Sequence, residues 1–349
     1  MKEEDRKNRR SSTIWLWVLG LVTVLLALLT ALPMLRRELD LNSKEERETR
    51  TTIKKALAKR YSRLALPDSF TVEFRRTDNT WVSNAPVNDD DLIRLAGKES
   101  VDNLKIRESC LTARGLKALL REPLVTLELH RQPVSDGIFP VISGLSRLER
   151  LFFRQTRGIS PAIEKLTGPD GLEVLNLEKT DLDDAGLAHI CKTFPKLTVL
   201  KLGENRQITA SGLRVTTRLP GLEVLDLTGT RVDRQALRAI AANGKINSLN
   251  LDCTGITDDD LPVLRSLPLY SLSLRKTDIS DRGLATISGI KSLKFIGVRG
   301  CRKVTAKGCA SLEKKIPGIT VVLNESAGEH KQDKALLESI LEEVDSSRQ

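Results

Sequence analysis

The chain has 349 residues, of which 3% are aromatic and 29% are charged, with a formal net charge of +10. Residues 1–65 hold 15 basic and 8 acidic residues, whereas residues 325–349 hold 3 basic and 7 acidic residues. The weakly basic, aromatic-poor middle therefore excludes a typical nucleic-acid-binding domain. The five cysteines form neither a Cys-x-x-Cys pair nor a metal-ligand cluster, which excludes a disulfide scaffold and a zinc site.

A charged tail, residues 1–13, precedes a run of 22 uncharged residues from Ile14 to Leu35. At 1.5 Å per residue this run spans about 33 Å, close to the apolar thickness of a bilayer. A cleaved signal peptide is the alternative, but its apolar part would be shorter, and no small-x-small cleavage site follows Ala31. The run at residues 14–35 therefore predicts an uncleaved, single-pass transmembrane helix.

The orientation of this helix stays open, because five basic residues precede the run and five follow it within 15 residues. A short charged tail favours a repeat domain outside the cytoplasm, and we expect that side. The excess of basic residues that continues to Arg63 favours the opposite side.

Residues 36–69 read as a basic juxtamembrane helix with Ile53, Leu57, Tyr61 and Leu64 on one stripe. One interpretation is a helix that lies on the membrane or pairs with a partner helix. The other is a solvated spacer whose stripe packs on the first repeat.

Residues 70–100 predict a degenerate unit that caps the N-terminal end of a repeat array. Val72 and Phe74 are its candidate strand. The stretch from Val87 to Leu92 echoes the one from Ile256 to Leu261.

Nine copies of one pattern follow within residues 101–324, with a truncated tenth, and they define an α/β fold. Each copy starts with alternating apolar residues, which indicates a short strand, and continues with helical spacing. The marker leucines of the nine copies are 23 to 25 residues apart: Leu104, Leu127, Leu151, Leu175, Leu200, Leu225, Leu249, Leu272 and Ile296. Because a unit this short cannot bury its own apolar face, the copies must stack.

Between strand and helix, each copy carries a Ser, Thr or Asp that can cap the first turn of a helix. The candidate caps are Thr112, Ser135, Ser160, Asp183, Thr209, Asp233, Thr257, Ser280 and Thr305.

The pattern L-x-x-L-x-L-x-x-(T/N/C)-x-(I/L/V)-(T/S/D)-x-x-(G/A)-L resembles that of the leucine-rich repeat family. The resemblance implies a horseshoe with parallel strands on the concave face, helices outside, and a column of buried ladder residues. The ladder column reads Ser109, Gln132, Thr156, Thr180, Asn205, Thr230, Thr254, Thr277 and Cys301. Threonine at most of these positions is similar to the cysteine-containing subclass of F-box substrate receptors and of bacterial membrane-anchored repeat proteins.

Residues 325–349 form an acidic tail in which Leu336, Leu337, Ile340, Leu341 and Val344 share one helical face. A helix that closes the end of the repeat stack is one interpretation, and a helix that docks on another protein is the other.

No catalytic motif, phosphate loop or metal-binding histidine pair occurs in the sequence, so we expect a protein that is not an enzyme and needs no cofactor or metal. The remaining candidate is a binding surface made of the outward strand residues. The predicted partner-binding residues are Lys105, Arg107, His130, Arg150, Phe152, Arg154, Asn176, Glu178, Asp226, Asn250, Asp252, Arg275, Phe295 and Arg299. Along the array, these residues are basic in the first repeats, acidic in the middle repeats and basic in the last repeats.

Arg150, Phe152 and Arg154 have the composition of a binding hot spot. The alternative is that these side chains only keep the sheet soluble. The expected function is a membrane-anchored scaffold that binds another protein and no nucleic acid. The alternative, which the F-box resemblance suggests, is the substrate-recognition subunit of a protein-modifying complex.

Overall fold

The computed structural model describes residues 74–77, 80–83, 87–97, 100–106, 111–132 and 137–323, which belong to one compact unit, Thr71–Gln349. The predictions for the transmembrane run, the basic juxtamembrane segment and the acidic tail lie outside these residues. Within the described ranges, the structure contains no apolar helix of membrane-spanning length.

Each repeat contributes one short strand to a single twelve-stranded sheet, in which the strands follow one another in chain order. The strands are β1 (Phe74–Thr77), β2 (Thr80–Ser83), β3 (Asn103–Ile106), β4 (Thr126–His130), β5 (Arg150–Arg154), β6 (Val174–Asn176), β7 (Val199–Lys201), β8 (Val224–Asp226), β9 (Ser248–Asn250), β10 (Ser271–Ser273), β11 (Phe295–Gly297) and β12 (Thr320–Val322). The β1–β2 pair is antiparallel and every later pair is parallel.

The marker leucines form one continuous column, because each pairs in register with the marker of the next strand, from Leu104 to Ile296. All nine are at most 1% exposed. The predicted period of the repeat is therefore confirmed, and the column forms the centre of the apolar core.

The helices complete this core from the other side, since their buried residues belong to the same apolar cluster. The α-helices are α1 (Asp89–Ala96), α2 (Ala113–Leu116), α3 (Ile138–Ser143), α4 (Asp184–Thr193), α5 (Ala210–Leu213), α6 (Arg234–Ala241), α7 (Asp281–Ile287) and α8 (Ala306–Lys315). Among the described residues, four 3₁₀ helices span Lys117–Arg121, Ile163–Lys165, Arg214–Arg218 and Leu261–Ser266.

Six of the nine predicted caps are confirmed, since each accepts a hydrogen bond from its own helix: Thr112, Asp183, Thr209, Asp233, Ser280 and Thr305. The predictions for Ser160 and Thr257 are wrong, and Ser135 lies outside the described residues. The helices of those two repeats are 3₁₀ helices without a side-chain cap. The Ser160 hydroxyl instead donates to Asp183 of the next repeat, and the Thr257 hydroxyl donates to Asp260 at 2.8 Å.

The predicted strand of the opening unit is confirmed at Phe74, which begins β1, whereas Val72 lies outside the described residues. The strand that pairs with β3 is β2. The predicted similarity to a repeat corner is confirmed, because Asn88 and Asp91 form a reciprocal capping box at the start of α1. The antiparallel strand β1 covers the outer edge of β2, which blocks further strand pairing there.

The described ladder residues are buried, and they bond the backbone within the turns. The Asn205 amide donates to the carbonyls of Leu177 and Leu202 and accepts from the N–H groups of Thr180 and Leu182. Gln132, the longest member, donates to the carbonyl of Leu111 at 2.7 Å and accepts from its N–H. The ladder predicted by the resemblance is therefore confirmed where it is described.

Candidate partner-binding surface

The sheet presents one face to the core and the other face, here called the open face, away from it. Burial alternates along β4 and β5 accordingly, with core residues fully covered and open-face residues half-buried. The strand register arranges the open face in three rows that run across the repeats.

The rows are defined by the register of the sheet and by the backbone bonds that follow it. The first row is Asn103, Thr126, Arg150, Val174, Val199, Val224, Ser248, Ser271, Phe295 and Thr320. The middle row is Lys105, Glu128, Phe152, Asn176, Lys201, Asp226, Asn250, Ser273 and Gly297. The third row is His130, Arg154, Glu178, Gly203, Thr228, Asp252, Arg275 and Arg299.

The structure places thirteen of the fourteen predicted residues in these rows, and Arg107 lies outside the described residues. Twelve are half-buried, and Asn176 is buried. Whether any of them contacts a partner stays a prediction.

A charged cluster occupies the open face of the first repeats. The Glu128 carboxylate lies 2.6 Å from the Lys105 ammonium and 2.6 Å from Nε2 of His130. Burial acts to raise the pKa of Glu128, but the hydrogen bonds from His130 and Lys105 outweigh it and lower that pKa to about 2. Glu128 is therefore a fixed anion that orders the side chains of Lys105 and His130.

A second ion pair continues this pattern in the third row. Nη2 of Arg154 lies 2.7 Å from Oε2 of Glu178, and Nε donates to the same oxygen at 3.0 Å. Arg154 is thus held in place by the next repeat, so its guanidinium has a defined position on the open face.

Charges in the centre of the open face are poorly solvated. Lys201 and Asp226 are register partners on neighbouring strands. Burial lowers the pKa of the Lys201 ammonium and raises the pKa of the Asp226 carboxyl. Burial also raises the pKa of Asp252, although Ser273 donates to it at 2.5 Å and the Arg275 N–H donates at 2.7 Å.

Three predicted partner-binding residues also make structural hydrogen bonds, which the alternation of apolar and polar residues in the sequence could not predict. The side-chain oxygens of Asn176, Asp226 and Asn250 each accept the backbone N–H two residues later, at 2.9, 2.9 and 3.0 Å. These bonds satisfy an N–H at the end of each strand, which explains why Asn or Asp recurs at this place.

An apolar patch lies beside these charges, and the sequence prediction missed most of it. Val174, Val199 and Val224 form a cluster separate from the main core, and Phe152 packs against them. The three valines were detectable from the repeated Glu-Val-Leu and Thr-Val-Leu triplets, since they alternate with the marker leucines. The Phe152 patch, as we call these four residues, follows Arg150 in the first row and has Arg154 on the same strand.

A second aromatic contact lies further along the first row, where the rings of Phe295 and Tyr270 are 5.4 Å apart and tilted by 58°. Among the described residues, His, Cys, Asp and Glu form no group of three that could hold a metal ion. The described cysteines are free, and Cys253 is exposed whereas Cys191, Cys301 and Cys309 are buried.

No protein-family model matches the chain, and no curated protein matches it. Among solved structures, the chain is similar to one in the crystal structure of the Rad7 and Elc1 complex in yeast, with 22% identity and a TM-score of 0.53. That match covers 70% of this chain and 66% of the other. An internalin from Listeria monocytogenes matches at 16% identity and a TM-score of 0.34, over 71% of this chain and 87% of its own. The stacked parallel strands and the structural likeness lead to the same conclusion: the chain has the fold of a leucine-rich repeat protein.

Proposed function

We propose that this chain is a non-catalytic, single-pass membrane protein whose repeat domain binds another protein through the open face. The observation that carries the proposal is the Phe152 patch with Arg150 and Arg154 beside it. Protein–protein hot spots combine a central aromatic anchor, a water-excluding apolar surround and arginine at the rim.

The apolar patch favours a protein partner over a small polar ligand. Phe152 is half-buried on three valines of neighbouring strands, so a partner side chain meets a preformed apolar platform. The Arg154–Glu178 ion pair fixes the charged margin of the platform before binding. Little side-chain entropy is then left to lose on association.

The membrane anchor is supported by the 22 uncharged residues from Ile14 to Leu35. We place the repeat domain outside the cytoplasm, where it meets envelope or surface proteins. Digestion of the repeat domain by protease added to intact or outer-membrane-permeabilised cells tests this side, and protection until the inner membrane is broken would refute it.

Site-specific photo-crosslinking tests the open face directly. A photoreactive residue is placed at Phe152 and, as a matched control, at Arg238, which is exposed on helix α6. We expect a discrete adduct from position 152 only, and its loss when Arg150→Ala and Arg154→Ala are added. Adducts of equal yield from both positions would overturn the proposal.

A second candidate function is substrate recognition within a protein-modifying complex. It is favoured by the structural likeness to Rad7, whose structure was determined in complex with Elc1. Co-purification of the full chain with a stable second subunit that is unaffected by Phe152→Ala would favour this alternative.

A further inference from the structure

The two edges of the repeat stack carry different charges in six successive repeats. The basic edge consists of the segments that lead from each helix to the next strand: 192–198, 217–223, 241–247, 264–270, 288–294 and 313–319. The mixed edge consists of the segments that follow the strands: 179–187, 204–212, 229–237, 253–261, 276–284 and 300–308. The basic edge holds nine basic and two acidic residues, whereas the mixed edge holds nine basic and ten acidic residues.

Four of the nine cations on the mixed edge, Arg206, Arg234, Arg282 and Lys303, form ion pairs with carboxylates. Ion pairs join Arg234 to Asp260 at 3.3 Å and Lys303 to Asp278 at 2.8 Å. Arg282 contacts both Asp258 and Asp259. The mixed edge therefore presents little net charge to solvent.

Cations on the basic edge have no such neutralisation. All nine are exposed: Lys192, Lys196, Arg218, Lys245, Arg265, Lys291, Lys294, Lys314 and Lys315. Within the part of the chain that the structure describes, the salt bridges involve none of them. Two contact backbone carbonyls instead, Arg265 that of Thr286 at 3.2 Å and Lys291 that of Ser288 at 3.1 Å.

The fold turns these cations into a line. Each of the six repeats contributes one or two, and neighbouring strands of a sheet are about 4.8 Å apart. The row is therefore about 25 Å long at the strand side.

We propose that the basic edge binds the headgroups of an anionic lipid bilayer. A planar anionic surface contacts several members of an exposed row of cations at once, and each lysine or arginine close to such a surface adds to the attraction. A single-stranded nucleic acid would also require stacking platforms. In the six segments only one exposed aromatic residue, Tyr270, occurs, and its ring is engaged by Phe295.

The proposal rests on the proposed anchor in one respect, and it requires anionic lipid in the leaflet that faces the repeat domain. A chain held at the bilayer by residues 14–35 keeps the basic edge at high local concentration near the lipid, so weak headgroup contacts are sufficient. The anchor and the edge are separable by experiment, because the anchor depends on apolar insertion and the edge depends on headgroup charge.

Lysine footprinting of the full chain in reconstituted vesicles tests the basic edge. The vesicles contain phosphatidylcholine alone or with phosphatidylserine, and acetylation rates are read by mass spectrometry. We expect acetylation of Lys196, Lys245 and Lys315 to slow at least about threefold when phosphatidylserine is present, and to recover in high salt. Lys179 and Lys276 on the mixed edge are the internal control, and their rates should not change.

Two triple variants, each of which removes three positive charges from one edge, provide a second test. Arg218→Gln with Lys245→Gln and Lys314→Gln should abolish the protection of Lys196 and Lys315. The matched variant Lys179→Gln with Arg231→Gln and Lys276→Gln should leave it intact. Both sets are exposed, so neither should affect folding.

Several outcomes would overturn the proposal. Equal acetylation rates in both lipids would do so, as would equal protection of both edges. Protection in phosphatidylcholine that disappears on removal of residues 325–349 would make the chain's own acidic tail the occupant. Protection by added DNA but not by phosphatidylserine would identify a nucleic acid. Failure of the anchor is seen separately, as failure of the chain to float with phosphatidylcholine vesicles.

Discussion

Equivalent positions in the middle row can hold carboxyl groups whose pKa values are shifted in opposite directions. Asn176, Asp226 and Asn250 make the same bond to a backbone N–H, yet only Asp226 brings a charge to this crowded place. Glu128 occupies the same row but has two hydrogen-bonding partners, Lys105 and His130. The side chains that contact a carboxylate, rather than its position in the row, therefore decide whether its charge stabilises the fold.

Opposite pH profiles are expected from Asp226→Asn and Glu128→Gln. Burial raises the folded pKa of Asp226, so its ionised form costs stability at pH 7, and Asp226→Asn should raise the free energy of unfolding there. This gain should vanish as the pH falls through the raised pKa to below 3.8, where the wild-type carboxyl is protonated in both states.

Glu128 has a folded pKa of about 2 against 4.5 when unperturbed, so its contribution is present above pH 4.5 and is lost as the pH falls towards 2. Glu128→Gln should therefore destabilise the protein at pH 7, by at most about 3 kcal/mol, and less at lower pH. Urea unfolding of both variants between pH 7 and pH 3 checks this pair. Effects of the same sign at pH 7 would contradict it.

The residue before each ladder position marks a limit of sequence interpretation. It adopts the left-handed conformation in eight repeats, but only Gly229 and Gly300 are glycines there. The other six are Arg131, Gln155, Lys179, Glu204, Cys253 and Lys276. Such residues do not predict a left-handed backbone, so the turn is imposed by the ladder and the neighbouring strands.

At the scale of elements, an aspartate of one repeat caps the helix of the next. Asp184 accepts the N–H of Thr209 at 2.8 Å and its hydroxyl at 2.6 Å, while Thr209 caps its own helix, α5. The same arrangement recurs in three further pairs, Asp89–Thr112, Asp258–Ser280 and Asp281–Thr305. The sequence predicted the caps from their residue types, but the long-range aspartate contacts required the stack.

This contact also explains the glycine in the Gly-Leu corner of the repeat. A Cβ at Gly115, Gly212, Gly283 or Gly308 would lie under 3 Å from the aspartate of the preceding repeat. The glycine is needed because a carboxylate occupies the space of its side chain, and none of the four has a positive φ.

Gly212→Ala should displace Asp184 from Thr209 and lower the free energy of unfolding by about 2 kcal/mol. Combined with Asp184→Ala, which vacates the space, the loss should be smaller than the sum by at least about 1 kcal/mol. Gly255→Ala is the matched control, since nothing lies within 4 Å of its Cβ, and it should stay within about 0.5 kcal/mol of the wild type. Additive losses in a denaturant-based double-mutant cycle would refute the proposed contact.

For the whole molecule, periodicity was enough to predict the repeat stack, because the marker leucines are the column that the sheet aligns. Alternation also identified most of the open face. It could not identify the Phe152 patch as a cluster, since Val174, Val199 and Val224 meet only when three repeats are in register. The different charges of the two edges were hidden for the same reason, because residues about 24 positions apart become neighbours only in the stack.

Because each repeat in the stack contacts only its neighbours, a destabilising substitution should affect mainly its own repeat and the repeats beside it. Asn205 joins the turn that follows β6 to the turn that follows β7 through buried bonds to Leu177, Thr180, Leu182 and Leu202. Asn205→Ala leaves two buried N–H groups without their acceptor, at about 1–3 kcal/mol each. We expect hydrogen exchange of the Thr180 and Leu182 amides to accelerate more than about tenfold, while the Arg131 and Leu274 amides, several repeats away, keep their rates.

Thr254→Val, which removes one hydroxyl bond to the Leu251 carbonyl, should have a smaller effect. Equal acceleration along the whole stack would instead show that the repeats unfold as a single cooperative unit.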